Sequence, residues 1–527
     1  MRRVTMCWIS VLLLPLLTTI SSAQIGGLGS IDFPTSGSPG AREVFLRGAL
    51  LLHSFEYDDA REAFRQAQEL DPEFGMAYWG EAMTHNRPIW VQLDLEDGRA
   101  VLNRLGETTE ARLARLPTKR EQGYLRAVEK LFGEGDKLSR DLAYSDSMAQ
   151  LASEYPDDLN AASLYALSLL GTLQAERDFT TYMKAAAVAE EVFAKNPNHP
   201  GATHYLIHSY DDPIHAPLGL RAARVYAGIA PAAAHAQHMP SHIFLAMGMW
   251  EDVIKANEAS WEASEDRIQR KNLNVETNRG YHALWWLQYG YLQLGRYLEA
   301  QKMLSIMEED FGKSGSPRTR SNLISMRATQ RIATSDWKSE NLEAILATSD
   351  SPLLPAAADL FVTGLTAVKT DDLTTAQQAL TQLKERKEGV TARPGSRQVA
   401  VDVMEKELEA LVSLAKGDHQ QALAFMREAT DLEDSMNLQF GPPVPVKPSH
   451  ELLGEILLEL DRPEEAEEQF ELALTRAPHR SLLLLGLARA AARSGHQEKA
   501  RRTYAQLEKN WHGADSPLPE LQEIRAQ

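Results

Sequence analysis

Cysteine is almost missing from this chain: Cys7 is the single one in 527 residues. One thiol allows no internal disulfide and no cysteine-built metal knuckle. Positive charge is short as well, with 55 Lys and Arg against 73 Asp and Glu and a net charge of −18. That balance excludes a nucleic-acid backbone as the expected partner. Beyond the N-terminus no apolar run is long enough to span a bilayer. Alternating β-branched stretches are scarce, so a sheet is not expected as a main element. Walker loops, dinucleotide fingerprints and nucleophile elbows are missing, and with them any sign of an organic cofactor. Neither histidine pair described below is HExxH, because Tyr205 and Met239 stand where a zinc-protease base is needed. The sequence assigns no catalytic residue.

The N-terminus carries the one long apolar run. In MRRVTMCWISVLLLPLLTTISSAQ, Arg2 and Arg3 precede an apolar stretch from Cys7 to Ile20, and Ser21, Ser22 and Ala23 follow. This layout predicts a secretory signal over residues 1–23 and a secreted or periplasmic protein, an uncleaved anchor being the alternative. Cleavage removes Cys7 and two positive charges, leaving a chain with no stable membrane span. A cysteine-free exported protein of this size can rely on a large core in place of disulfides. Residues 24–40, QIGGLGSIDFPTSGSPG, are rich in Gly, Ser and Pro and read as a flexible leader.

From Ala41 helix formers dominate, and the chain repeats itself. Gly454, Ala466, Phe470, Ala473 and Pro478 fall at the same intervals as Gly48, Ala60, Phe64, Ala67 and Pro72. A further copy gives Ala488, Ala500, Tyr504 and Leu507, displaced by 34 residues. Small residues at fixed intervals let two helices cross closely, the aromatic fills the gap, and proline stops the second helix. The pattern resembles the tetratricopeptide repeat (TPR) family. Looser copies lie around Ala376, Ala422 and Ala300. The resemblance implies an all-α, right-handed solenoid of antiparallel helical hairpins with a concave groove that holds a protein or peptide, or a small-molecule ligand. On this reading the chain divides into N-terminal repeats over 41–135, central repeats over 136–305 and irregular repeats over 306–440. A Pro-rich connection follows at 441–449, then a C-terminal repeat pair at 450–512 and a tail at 513–527.

Histidines stand out against that frame. "THYLIH" and "QHMPSH" each hold two histidines four residues apart, and His204 and His208 recur 34 residues on as His238 and His242. A four-residue spacing puts both rings on one helical face. Pro197 and Pro231, also 34 apart, read as unit ends. In the TPR family the second, fifth, ninth, twelfth and thirteenth positions of a unit tend to face the groove. Carried onto this chain, those positions hold His204, His208, Asp211 and Asp212 in one unit and His235, His238 and His242 in the next. Beyond an insertion near residues 268–280, His282 takes the second position. His215, in the turn after "DDPI", is a further candidate.

Helices packed about 8–10 Å apart allow equivalent side chains of neighbouring units to share one ion. The expected ligands are His204, His208, His238, His242 and Asp211, with Asp212, His215, His235 and His282 as further groove ligands. Imidazole with carboxylate suits a divalent transition metal (zinc, iron, copper or nickel) better than magnesium or calcium. Met239, Met247 and Met249 keep copper(I) open, although methionine more often fills a core. The competing reading is a metal-free scaffold whose histidine pairs are capping or hydrogen-bonding groups. Pro240 favours it, because proline belongs in a first helical turn and would start the helix near His238. Residues 201–244 also resemble a block of uncharacterised secreted bacterial TPR proteins, a likeness that implies a shared site and no particular activity. Trp79, His85 and Trp90, and likewise Trp250, Trp261, Trp285 and Trp286, read first as core. The prolines of QFGPPVPVKPSHE read as a stiff connection.

Overall fold

The computed structural model describes residues 26–526 except 174–176, 277–279, 339–344, 389–394, 439 and 516–517. The signal segment at 1–23 lies outside the described residues. These are helical almost throughout: the single sheet is a pair of two-residue strands, Asn86–Arg87 against Gln92–Leu93. No described helix is long and apolar enough to cross a membrane.

The repeat pattern becomes packing in a direct way. The first hairpin pairs helix Pro39–His53 with helix Tyr57–Leu70. Pro39 starts its helix where a missing N–H costs nothing. The Phe64 ring is wedged between Gly48 and Gly80; a Cβ on either would lie 2.8 Å and 2.3 Å from that ring. The C-terminal copy, Ser449–Glu459 against Pro463–Arg476, repeats the wedge. Phe470 sits between Gly454 and Gly486, with the same 2.8 and 2.3 Å approaches. Ala60 and Ala466 are fully buried at the crossings, as the small-residue spacing requires.

The solenoid also closes on itself. Arg480, at the head of helix Ser481–Arg493, donates to the Tyr289 hydroxyl at 3.0 Å on the central helix Gly280–Gln293. The Ser481 amide donates to Gln293 Oε1 at 2.9 Å. From the other end, Lys271 at the C-terminus of helix Trp250–Lys271 reaches Asp59 and Glu62 of the first hairpin. The centre of the chain is thus enclosed by both termini of the repeat array.

One expectation is corrected here. The described part of the leader, residues 26–38, is anchored rather than flexible. Leu28, Ile31 and Phe33 are buried, and Phe33 packs 5.3 Å from Phe45 and 5.2 Å from Tyr124, ring centre to ring centre. Asn160 Nδ2 donates to the Asp32 carbonyl at 2.6 Å, and the Ser30 amide donates to the Asn198 carbonyl at 3.2 Å. Composition alone suggested a linker; three spaced apolar side chains decided the outcome.

Candidate metal centre

Helix Pro200–Ser209 begins on His199, whose Nδ1 accepts the Ala202 amide at 3.2 Å as an N-cap. His204 and His208 then share one face, with ring centres 4.8 Å apart. The next unit opens with two short helices, Ala234–His238 and Pro240–Ala246, joined through Met239 in the right-handed helical region. The segment therefore starts at Ala234 and not near His238. Pro240 breaks the hydrogen-bond ladder without turning the chain, since the Met239 amide still reaches the His235 carbonyl and the His242 amide reaches that of Met239. His238 Nε2 and His242 Nε2 lie 3.0 Å apart. His282 stands near the start of helix Gly280–Gln293.

The six rings fall into two triads built by one rule. His204 and His208 are joined by His235 from the following unit, and His238 and His242 by His282 from the unit after that. Within each triad one nitrogen per ring lies within 4.8 Å of the others. This corrects the expectation that equivalent histidines of neighbouring units share one ion: a pair at the fifth and ninth positions is completed by the second position of the next unit. It also corrects the picture of an open groove, because all six rings are buried except His282, which is half-buried.

Hydrogen bonds fix which nitrogen faces inward. His204 Nδ1 lies 2.7 Å from the His53 carbonyl, which only accepts, so Nδ1 carries the hydrogen. Asn257 Nδ2 is committed to the Val253 carbonyl at 2.8 Å, which turns Asn257 Oδ1 towards His238 Nδ1 at 2.6 Å. His242 Nδ1 donates to Asp211 Oδ2 at 2.5 Å. Neutral His204, His238 and His242 therefore all present an Nε2 lone pair. Two such lone pairs 3.0 Å apart repel unless a proton or a metal ion lies between them. Tetrahedral zinc with nitrogen ligands at about 2.0–2.1 Å would set them roughly 3.3 Å apart, a small adjustment. Backbone carbonyl, amide and carboxylate acceptors behind the rings are the outer partners metal-bound histidines usually have.

Asp211, expected as a ligand, instead holds His242 from behind. Asp212 and His215 pair with each other at 2.9 Å, and Arg177 Nη2 lies 3.2 Å from Asp212; neither belongs to a triad. His53 and His199 lie beneath the first triad, their ring centres 4.9 Å apart. Burial lowers the His53 pKa to about 4, against opposing pulls from Asn160 and Asp158. Burial, then the charge of His53, pushes His199 well below the usual imidazole value. Met239 is core, and Met247 and Met249 pack against it.

Several contributors were not legible in the sequence. Asn257 comes from a helix with no motif of its own. The Phe55 ring lies 4.2 Å from His204 and 5.7 Å from both His208 and His235. Glu56 Oε1 accepts the His235 amide at 3.0 Å. Trp286, read as core, covers the second triad, 4.3 Å from His242 and 5.0 Å from His238. A cleft of about 770 Å³, measured with its open mouth, adjoins that triad through His242. Trp250, Phe440, Pro443 and Arg476 are among its walls, so the Pro-rich connection borders the site. Trp79 is core as expected, whereas Trp90 reaches His235 at 6.2 Å. The paired histidines, the 34-residue register and the second-position histidines singled out all six rings, but not their division into two triads.

Family models of the tetratricopeptide repeat match residues 41–74 and 448–480. No curated protein matches the chain. Among solved structures, the APC/C hetero-tetramer Cut9–Hcn1 is 11% identical over 92% of this chain and 76% of that one, with a TM-score of 0.36. Yeast Tom70 is 13% identical over 92% and 95%, with a TM-score of 0.28. A human IFIT1 dimer with PPP-AAAA is 11% identical over 90% and 95%, with a TM-score of 0.36. The chain thus carries a matched tetratricopeptide repeat at each end of an array of antiparallel helical pairs.

Proposed function

We propose that the protein is an exported TPR scaffold whose buried histidine centre binds a divalent transition metal. The observation that carries this reading is the fixed inward direction of the Nε2 atoms of His204, His238 and His242, set by acceptors behind each ring. Six imidazoles gathered without an ion gain little, because any protons they take up set like charges against one another in a buried space. A bound ion stabilises them as neutral rings, and acid releases it. The repeats make the chain a binding scaffold for a protein or peptide, and the cleft beside His242 is where a small ligand would meet the ion.

Binding only to the folded state raises the melting temperature, and a chelator reverses the gain. His208→Ala combined with His242→Ala should abolish both effects while far-UV circular dichroism stays helical. A double variant that responds to metal like the parent removes the proposal. Export rests on the N-terminal run alone. Sequencing the secreted protein should read from Gln24, and an intact Met1 would refute it.

A further inference from the structure

We infer that the centre takes two ions of unequal accessibility: an inner ion on His204, His208 and His235, closed to solvent, and an outer ion on His238, His242 and His282 that accepts an anion from the cleft. This rests on the metal-binding reading above and goes further in number, position and ligand class.

The construction is duplicated, not shared. Each triad takes an i,i+4 pair from one unit and a single ring from the next, with one donor atom per ring within 4.8 Å of the others. The triads meet only ring to ring, His208 with His242 and His235 with His238, at 6.0 Å between centres in both pairs. An ion with nitrogen ligands at about 2.1 Å can satisfy one such triad and not both.

The two surroundings differ. All three inner rings are buried, His204 with no exposed surface and His208 and His235 at 6%; in the outer triad His238 and His242 are buried too, at 2% and 3%, so the difference lies in His282 and in the cleft. Phe55 and Tyr226 stack over the inner rings, Tyr226 at 5.3 Å from His204. Phe55 is held there at φ 57°, the left-handed region, which is costly for a bulky side chain. The outer triad contains the half-buried His282, and its His242 forms part of the cleft wall. Three protein ligands leave a fourth position open in either triad; the cleft gives access to it at the outer triad, whereas Phe55 and Tyr226 cover the inner one.

Charge points to the ligand class. Glu56 stands beside the inner triad and Asp211 beside the outer one. Asp212 is engaged by Arg177 and His215. Two divalent ions next to two carboxylates leave net positive charge, and the cleft is the route by which an anion neutralises it. The cleft wall itself carries both signs, Asp211, Asp212 and Glu433 against Arg476 and Arg480, with Arg476 lying 3.9 Å from Glu433, so the draw on an anion comes from the ion.

The test uses the untagged full chain, cobalt(II) chloride and sodium azide. Wild type should bind two equivalents of cobalt, with azide perturbing the visible spectrum of one. His282→Ala should bind one equivalent that ignores azide, and His235→Ala one equivalent that responds to it. Anomalous diffraction at the cobalt edge of wild-type crystals should show one peak in each triad, independently of how the variants fold. A single equivalent, or one peak between the triads, overturns the two-ion assignment and leaves the metal reading standing. Azide acting on the His282→Ala protein overturns the unequal access. No bound cobalt at all removes both readings together.

Discussion

Asn257 decides which nitrogen of His238 carries hydrogen, and so where its lone pair points. Its own amide is held by the Val253 carbonyl, so it cannot flip to donate instead. Asn257→Ala should leave a buried Nδ1–H without its acceptor and weaken metal affinity by roughly 10–100-fold, the usual scale for an outer partner. Isothermal titration with zinc checks this, and unchanged affinity would mean the ring is oriented by something else. His204, His208, His235, His238, His242 and His282 were all legible from spacing and register. Their grouping was not, because the register of one helix against the next depends on how Gly and Ala at the crossings set the approach. Asn257 and Glu56 were invisible for a related reason: each reaches its histidine from a helix or turn outside the His-rich segment, and no local pattern distinguishes it.

Hairpin turns and glycine crossings set how the helices pack on one another. At the turn between paired helices the residue with positive φ is Gly248, Gly295, Gly417 or Gly495, or else Asp371 or Asp461. In the first hairpin it is Phe55, the one bulky side chain among these turns and the one that covers histidines. The crossings make a quantitative contrast. Gly486→Ala would put a Cβ 2.3 Å from Phe470 and should destabilise the chain by roughly 1–3 kcal/mol. Gly228 is helical and exposed with nothing near its absent Cβ, so Gly228→Ala should stabilise by roughly 0.5–1 kcal/mol. Urea denaturation of both variants is the check; equal effects would show that the wedge around Phe470 is loose. The two ends were readable because glycine, alanine and phenylalanine recur there at fixed intervals. The anchored leader was not, since its partners lie far along the chain, at Asn160 and Asn198.

At the scale of the whole molecule, closure at the C-terminal end runs through Arg480, which a buried charge cluster within the C-terminal segment holds against Tyr289 of the central helix. Arg480 Nε donates to Glu451 Oε2 at 2.6 Å, and Lys447 donates to Glu451 Oε1 at 2.8 Å. Burial alone would raise the Glu451 pKa, but the charges of Arg480 and Lys447 overcome it and hold it at about 2. A folded-state value below the unfolded one means this stability is full above about pH 4.5. It is lost as pH falls towards 2. Arg480→Ala should cost roughly 3–5 kcal/mol at neutral pH, because it leaves the buried Glu451 carboxylate with Lys447 in place of two charged partners. It should also flatten the acid limb of the stability profile, and a limb as steep as the parent's would place the acid response elsewhere. Such closure brings the cleft walls at Arg476 and Phe440 to the histidines, a juxtaposition no repeat pattern encodes.

Whether the histidine centre holds a metal is decided by the metal content of untagged protein taken from its native compartment, measured by mass spectrometry. Zinc, iron, copper or nickel should be present in stoichiometric amount, removable by chelator, and missing from the variant lacking both His208 and His242. Protein that is folded, active in partner binding and free of transition metal after gentle purification would contradict the account, and the paired histidines would then be structural.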